Sequence, residues 1–253
     1  MERHLYVITG ASRGLGHALA TQLLRPGHEL LLIARRPATD LATLAASRGA
    51  TVTDWAIDLA QEPAGAASRL AEWLRARGGA GLRSANLINN AAALPTSAPL
   101  GEVPAAEVSQ ALRVGLEAAM LLTGAFLAAT RDWTATRRIV NVSSGLGRRP
   151  MASAAVYCAA KAGMDHFSRC VALEEAARPH GARIVSLAPG VIDTDMQVQL
   201  RSADPAAFAD RERFVRLKTD GLLDSPEQAA AKLLAFLAKP DFGREPVADV
   251  RDA

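Results

Sequence analysis

Short apolar runs and longer amphipathic stretches take turns along the chain. Val/Ile/Leu-rich segments of strand length fall at 5–9, 29–34, 51–57, 85–89, 138–143 and 183–188. Between and after them, stretches rich in Ala and Leu at helical spacing occupy 15–26, 38–48, 63–77, 104–130, 153–178 and 226–238. Strands that are apolar along their whole length must be covered on both faces, and each is followed by a helix able to carry the chain back. The alternation therefore predicts an α/β fold: a Rossmann-like, doubly wound parallel sheet with helices on both faces. No linker, repeat or low-complexity tract divides the chain, so residues 1–253 are expected to form one domain. Residues 191–224 break the alternation with a polar segment carrying Asp193, Asp195, Asp204, Pro205 and Asp210. Insertions beyond the carboxyl end of a strand are where such sheets keep ligands, and a substrate lid is expected there.

Composition narrows the class. A length of 253 residues suits one α/β domain with a sizeable core. Hydrophobic residues at 49% and charged residues at 22% exclude a disordered or fibrous chain. Arg, Asp or Pro interrupts the longest apolar stretches within about ten residues, short of the roughly 20 a bilayer span requires, so no membrane association is expected. Met1-Glu2-Arg3-His4 leads into the first strand with no small-residue cleavage site, and cytoplasmic residence is expected. Cys158 and Cys170 have no metal-ligand spacing, which suits a reducing compartment. The net charge is +3, and the basic residues are scattered in pairs such as Arg137-Arg138, so no nucleic-acid partner is expected.

The first strand runs into Thr9-Gly10-Ala11-Ser12-Arg13-Gly14-Leu15-Gly16, and a helix follows. Glycines permit a tight turn and let backbone N–H groups reach a pyrophosphate at the positive end of a helix. The spacing is G-x-x-x-G-x-G rather than the dinucleotide fingerprint G-x-G-x-x-G, but strand, turn and helix fall where that mechanism needs them. Gly10, Ser12, Arg13, Gly14, Leu15 and Gly16 are the candidate phosphate cradle. The second strand ends in Arg35-Arg36, where an acid would bind a ribose 2′-hydroxyl. Guanidinium groups match a 2′-phosphate in charge and donor geometry, so Arg35 and Arg36, aided by Arg13, point to NADP(H) rather than NAD.

Tyr157 and Lys161 lie four apart in a helical stretch, so both project from one face and an ammonium stands beside a phenol. A nearby cation favours phenolate and is expected to lower the tyrosine pKa, as a general acid/base requires. Ser144 follows the strand at 138–143, where its hydroxyl could meet a substrate carbonyl.

With these residues the chain resembles the short-chain dehydrogenase/reductase family over nearly its whole length. The shared motifs are Thr9 to Gly16, Asp58-Leu59, Asn89-Asn90-Ala91-Ala92, Ser143-Ser144, Tyr157 to Lys161, and Pro189-Gly190-Val191-Ile192-Asp193-Thr194, in family order. The resemblance implies hydride transfer between a nicotinamide cofactor and a small-molecule carbonyl. Tyr157 would be the proton donor, Lys161 its electrostatic partner and a nicotinamide-ribose ligand, and Ser144 the group that orients the carbonyl. It also implies that Asp58 and Leu59 lie beside the adenine and Asn90 and Ala91 beside the adenosine ribose. Pro189, Gly190, Ile192 and Thr194 would flank the nicotinamide. The stretch from Ser186 to Gln197 and onward to Gly221 looks like the sepiapterin reductase and benzil reductase branch, which implies an NADPH-linked reductase of ketones or diketones. Asp249 falls roughly where that branch carries a substrate-anchoring Asp. A homodimer or homotetramer through 104–130 and 153–178 is implied as well.

Gly115 departs from the family pattern, which has an Asn there to hold a water relay from the lysine. The alternative function that follows is an NADP(H)-binding sensor or scaffold with impaired catalysis. Met151, Leu146, Met196, Phe208 and Phe214 are candidates for an apolar substrate pocket.

Overall fold

The structure, a computed structural model, describes residues 2–252. Seven strands form one parallel sheet: β1 (Arg3–Thr9), β2 (His28–Ala34), β3 (Thr51–Ala56), β4 (Leu82–Asn89), β5 (Thr136–Val142), β6 (Arg183–Ala188) and β7 (Val247–Asp249). Their order is β3-β2-β1-β4-β5-β6-β7, so the winding reverses between β1 and β4, and a crevice opens there at the carboxyl ends.

Successive strand residues point to opposite faces, and both faces are covered, which is why the central strands are largely apolar. Ile8, Leu30, Leu32, Val140, Val185 and Leu187 meet α1 (Gly14–Leu23), α2 (Thr39–Arg48) and α9 (Pro226–Ala238). Leu5, Val7, Leu31, Ile33, Leu87, Ile139 and Ile184 face the other way, toward α3 (Pro63–Arg77), α5 (Ala118–Ala129) and α6 (Ala155–Ala176). The expected doubly wound sheet is what the chain forms.

Helix ends follow local chemistry. The first helix stops at Leu23 rather than 26, with Leu24 extended at φ −70° and ψ 90° just ahead of Pro26. Ser225 and Gln228 form a capping box at the start of α9, each side chain bonding the other's backbone N–H.

The expected helix at 104–130 is one continuous path in three parts. α4 (Ala105–Leu112) passes through a π-helical turn at Arg113–Glu117 into α5. Among the described residues, Ala105–Ala129 is the one helical stretch long and apolar enough, by length and composition, to cross a membrane. It packs against the sheet instead, burying Ala118, Ala119, Leu122, Thr123 and Phe126. The 191–224 segment carries two helices, α7 (Asp195–Arg201) and α8 (Arg211–Thr219). Its two ends are tied by Asp193 N–H donating to Asp224 O and Asp224 N–H to Val191 O, both at 2.9 Å.

Candidate active site

A cleft of about 1080 Å³ lies along the carboxyl ends of the strands. At one end the glycine-rich turn is held by the neighbouring strand. Thr9 Oγ1 accepts the N–H groups of Asn90 and Ala91, both at 2.9 Å, and Asn90 Nδ2 donates to Thr9 O at 2.9 Å. That packing leaves no room for side chains: a Cβ on Gly16 would sit 2.2 Å from Gly10 O and 2.5 Å from Asn90 Nδ2. Gly10 itself has φ +68°, a conformation that favours glycine. No side chain caps α1, whose first-turn N–H groups are left for an anion. The turn is a cradle that added Cβ atoms would fill, and it fits a dinucleotide pyrophosphate.

Farther along, Arg35 is exposed and lines the cleft, and among the described residues it has no carboxylate partner. Its loop is fixed by Asp54, whose Oδ2 accepts Ala38 N–H at 2.6 Å. Arg36 is also exposed but stands outside the cleft lining. Gly16 lies behind the lining, while Gly10, Ser12, Arg13, Gly14, Leu15, Asp58, Leu59, Asn90 and Ala91 are in it.

At the other end the cleft brings together Ser144, Tyr157 and Lys161, with Pro189, Gly190, Ile192 and Thr194 opposite. Ser144 follows β5 in an extended conformation, and its Oγ accepts Leu146 N–H at 3.2 Å. Lys161 is buried, and its Nζ donates to Val142 O at 2.7 Å and lies 5.7 Å from the Tyr157 ring centroid. Burial pushes the Tyr157 phenol up to about 12, with the Ser144 hydroxyl pulling the other way. Burial also draws the Lys161 ammonium down to about 8, against the attraction of Asp165. The sequence expectation that the lysine lowers the tyrosine pKa is corrected here: desolvation of the phenol by burial prevails and raises it. The phenol therefore carries its proton at neutral pH.

Segment 191–224 has a small core of Leu200, Phe208 and Phe214, against which Leu94, Met151 and Leu217 pack. Leu146, Met151, Met196 and Phe214 reach the cleft as expected; Phe208 is buried inside segment 191–224. Asp249 does not line the cleft. Its carboxylate receives Arg251 Nε at 2.8 Å and the Arg251 N–H at 3.0 Å, and it is Arg251 that lines the cleft. Burying Asp249 at a strand end requires that cation, which explains why it is not turned toward a substrate. Gly115 is buried in the π-helical turn, and a Cβ there would meet only Ala160 Cβ, at 3.5 Å.

Four features went unread in the sequence: the Thr9 latch, the Asp54 anchor, Arg251, and the buried Asp165. A carboxylate four residues after a helical lysine is a readable signal, and Asp165 has it.

Residues 4–205 match the family described as short chain dehydrogenase. A benzil reductase ((S)-benzoin forming) of Bacillus cereus is 34% identical over 236 residues, 93% of this chain and 94% of that protein. Sepiapterin reductase of Mus musculus is 35% identical over 248 residues, 93% of this chain and 92% of that protein. Among solved structures, the KRED1-Pglu enzyme superposes with a TM-score of 0.79 at 27% identity, covering 95% of this chain and 98% of that one. An Agrobacterium tumefaciens protein with bound NADP gives a TM-score of 0.79 at 26% identity, covering 99% and 95% of the two chains.

Proposed function

The chain belongs to the short chain dehydrogenase family, and from that premise we propose that it is an NADPH-dependent carbonyl reductase acting on ketones or vicinal diketones. The convergence of Ser144, Tyr157 and Lys161 at one end of a dinucleotide-sized cleft carries this reading. When bound, the nicotinamide cofactor supplies the hydride. The chain's residues do the rest. The Ser144 hydroxyl and the Tyr157 phenol donate to the carbonyl oxygen and polarise it, and Tyr157 gives up its proton as charge develops there. Lys161, held by Val142 O, places a positive charge near the phenolate that results.

Gly10, Ser12, Arg13, Gly14 and Leu15 hold the pyrophosphate, with Gly16 packed behind them, and Asp58, Leu59, Asn90 and Ala91 hold the adenosine. Pro189, Gly190, Ile192 and Thr194 face the nicotinamide. Arg35 carries the preference for NADP(H), supported by its place in the cleft and by the NADP in the Agrobacterium relative. The names of the bacterial and mouse relatives support a diketone or pteridine side-chain ketone as substrate. Segment 191–224 serves as the lid. A second copy of the chain pairs through the faces that expose Met120 and Leu121 on α5 and Leu173 on α6.

The test is NADPH oxidation by the purified protein with benzil and sepiapterin, beside the Tyr157→Phe variant. The expected outcome is turnover of one of them and a loss of about 10²–10⁴ in kcat for the variant with NADPH binding intact. Near-normal turnover by Tyr157→Phe would overturn the assignment. Gly115 favours a second reading, an NADP(H)-binding sensor, because no side chain at that position supports a proton path from Lys161.

A further inference from the structure

Behind the cleft, one helical turn past Lys161, lies a carboxylate that the mechanism above does not use. Asp165 is 2% exposed. Its Oδ1 accepts Ser143 Oγ at 2.6 Å and Ser186 Oγ at 2.7 Å. Its Oδ2 has no hydrogen-bond partner among the described residues, and the nearest cation to it in a salt bridge is Arg148 Nε at 3.7 Å. The backbone makes way for this group: a Cβ on Gly147 would lie 2.8 Å from Oδ2 and 3.0 Å from Lys161 O.

A buried carboxylate is costly unless something answers its charge. Two neutral hydroxyls and a half-exposed guanidinium leave it partly uncompensated. On the same helix face stands Lys161, itself 2% exposed and donating only to a neutral carbonyl. Two opposite charges four residues apart on a helix attract each other, and more strongly in a dry interior than in water. Asp165 also ties together the strand ends that bracket the site, since Ser143 precedes Ser144 and Ser186 leads to Pro189-Gly190.

We propose that Asp165 is a positioning residue for the reaction: it supplies the counter-charge that keeps Lys161 an ammonium and braces the turn that presents Ser144. The inference rests on the reductase reading for its catalytic meaning, though not for its electrostatic core. Burial alone draws the Lys161 proton affinity down, and Asp165 opposes it. The other groups around Lys161 cannot take this role. Tyr157, one turn earlier, keeps its proton. Arg148, from the turn after β5, carries the wrong sign, and Asp249 of β7 is engaged by Arg251. Arg113 and Glu117 of the π-helical turn are an exposed pair of their own.

The chain has four lysines, so 13C-labelled lysine gives a spectrum in which Lys161 is identified by its loss in Lys161→Met. In the full-length, cofactor-free protein, Lys161 is expected to titrate near about 8. Asp165→Asn keeps an acceptor for both serines and is expected to lower that midpoint by at least about one pH unit, a tenfold loss of proton affinity. In parallel, the alkaline limb of kcat/KM for NADPH-linked benzil reduction should move acidward by the same amount, with the acid plateau kept within about twofold. An unchanged midpoint overturns the proposal, as does a kcat/KM lowered by one factor at every pH. If Asp165→Asn does not fold, Asp165→Ser, a second neutral side chain that keeps a hydroxyl acceptor, is read instead: the Lys161 midpoint should fall by the same amount, and an unmoved midpoint is the adverse result. Wild-type protein that turns over no carbonyl refutes the reductase reading while the titration still decides the role of Asp165.

Discussion

Arg13 in the glycine-rich turn and Asp195 at the start of α7 meet across the mouth of the cleft, with Nη1 and Oδ2 2.6 Å apart. The pair ties segment 191–224 to the glycine-rich turn. Its side chains are 68% and 71% exposed, so solvent screens it and it contributes little to stability. Its effect falls on the cofactor, because Asp195 competes with phosphate for Arg13 and repels it. Asp195→Asn is therefore expected to shift unfolding free energy by less than about 0.5 kcal/mol and to tighten NADPH binding by about two- to fivefold at low salt, less at high salt. Fluorescence titration at two ionic strengths checks this. Weaker binding would instead make the pair a strap over bound cofactor.

Arg35 should decide between the two nicotinamide cofactors. One charge-assisted bond to a 2′-phosphate is worth about 1.5–3 kcal/mol, so Arg35→Ser is expected to lower kcat/KM for NADPH by about ten- to a hundredfold. NADH carries no such phosphate, and its kcat/KM should change by less than about threefold. Equal losses with both cofactors would remove Arg35 from the preference.

The strands were legible because each is buried on both faces, and a continuous apolar run admits no other reading: β1, β2, β4, β5 and β6 all fall within three residues of expectation. β7 was not. It is three residues, Val247-Ala248-Asp249, too short to show a pattern, and it exists because β6 offers an unpaired edge. The π-helical turn at Arg113–Glu117 leaves the helical spacing nearly unbroken, so nothing in the residue pattern marks it. In the site, Ser144, Tyr157 and Lys161 could be read from spacing, but the tyrosine's proton affinity could not. It depends on how the folded chain buries the phenol, which residue spacing does not display.

The pH dependence follows from two shifted groups. The proposed reaction needs Tyr157 protonated and Lys161 charged. Tyr157, near about 12, stays protonated through the working range. Lys161, lowered to about 8, loses its charge as pH rises through that value rather than through its ordinary 10.5. The kcat/KM for reduction should thus be level below about pH 7 and fall tenfold per pH unit well above 8. A profile flat to pH 10 would show that the ammonium is not required.

The capping box at α9 offers a stability check remote from the chemistry. Ser225 Oγ accepts Gln228 N–H at 3.2 Å, and Gln228 Oε1 accepts Ser225 N–H at 2.8 Å. Ser225→Ala should cost about 1 kcal/mol and lower Tm by about 2–4 °C, with kcat unchanged. Calorimetry beside a standard assay reads both.

Gly115 is the place where a single substitution separates an active reductase from the sensor reading. It has no left-handed backbone to protect, and a Cβ would make only ordinary contact, 3.5 Å from Ala160 Cβ. Asn is a better helix former than Gly by a few tenths of a kcal/mol, so Gly115→Asn should fold at least as well as wild type. If proton return to Tyr157 limits the wild type, the new amide should raise kcat by about two- to tenfold with KM unchanged and reduce the solvent isotope effect on kcat. If kcat and the isotope effect stay as they were while wild type turns over, proton return does not limit the wild type, and the sensor reading loses its support. If wild type is inactive and the variant gains activity, position 115 is what had silenced an otherwise complete Ser144, Tyr157 and Lys161 site.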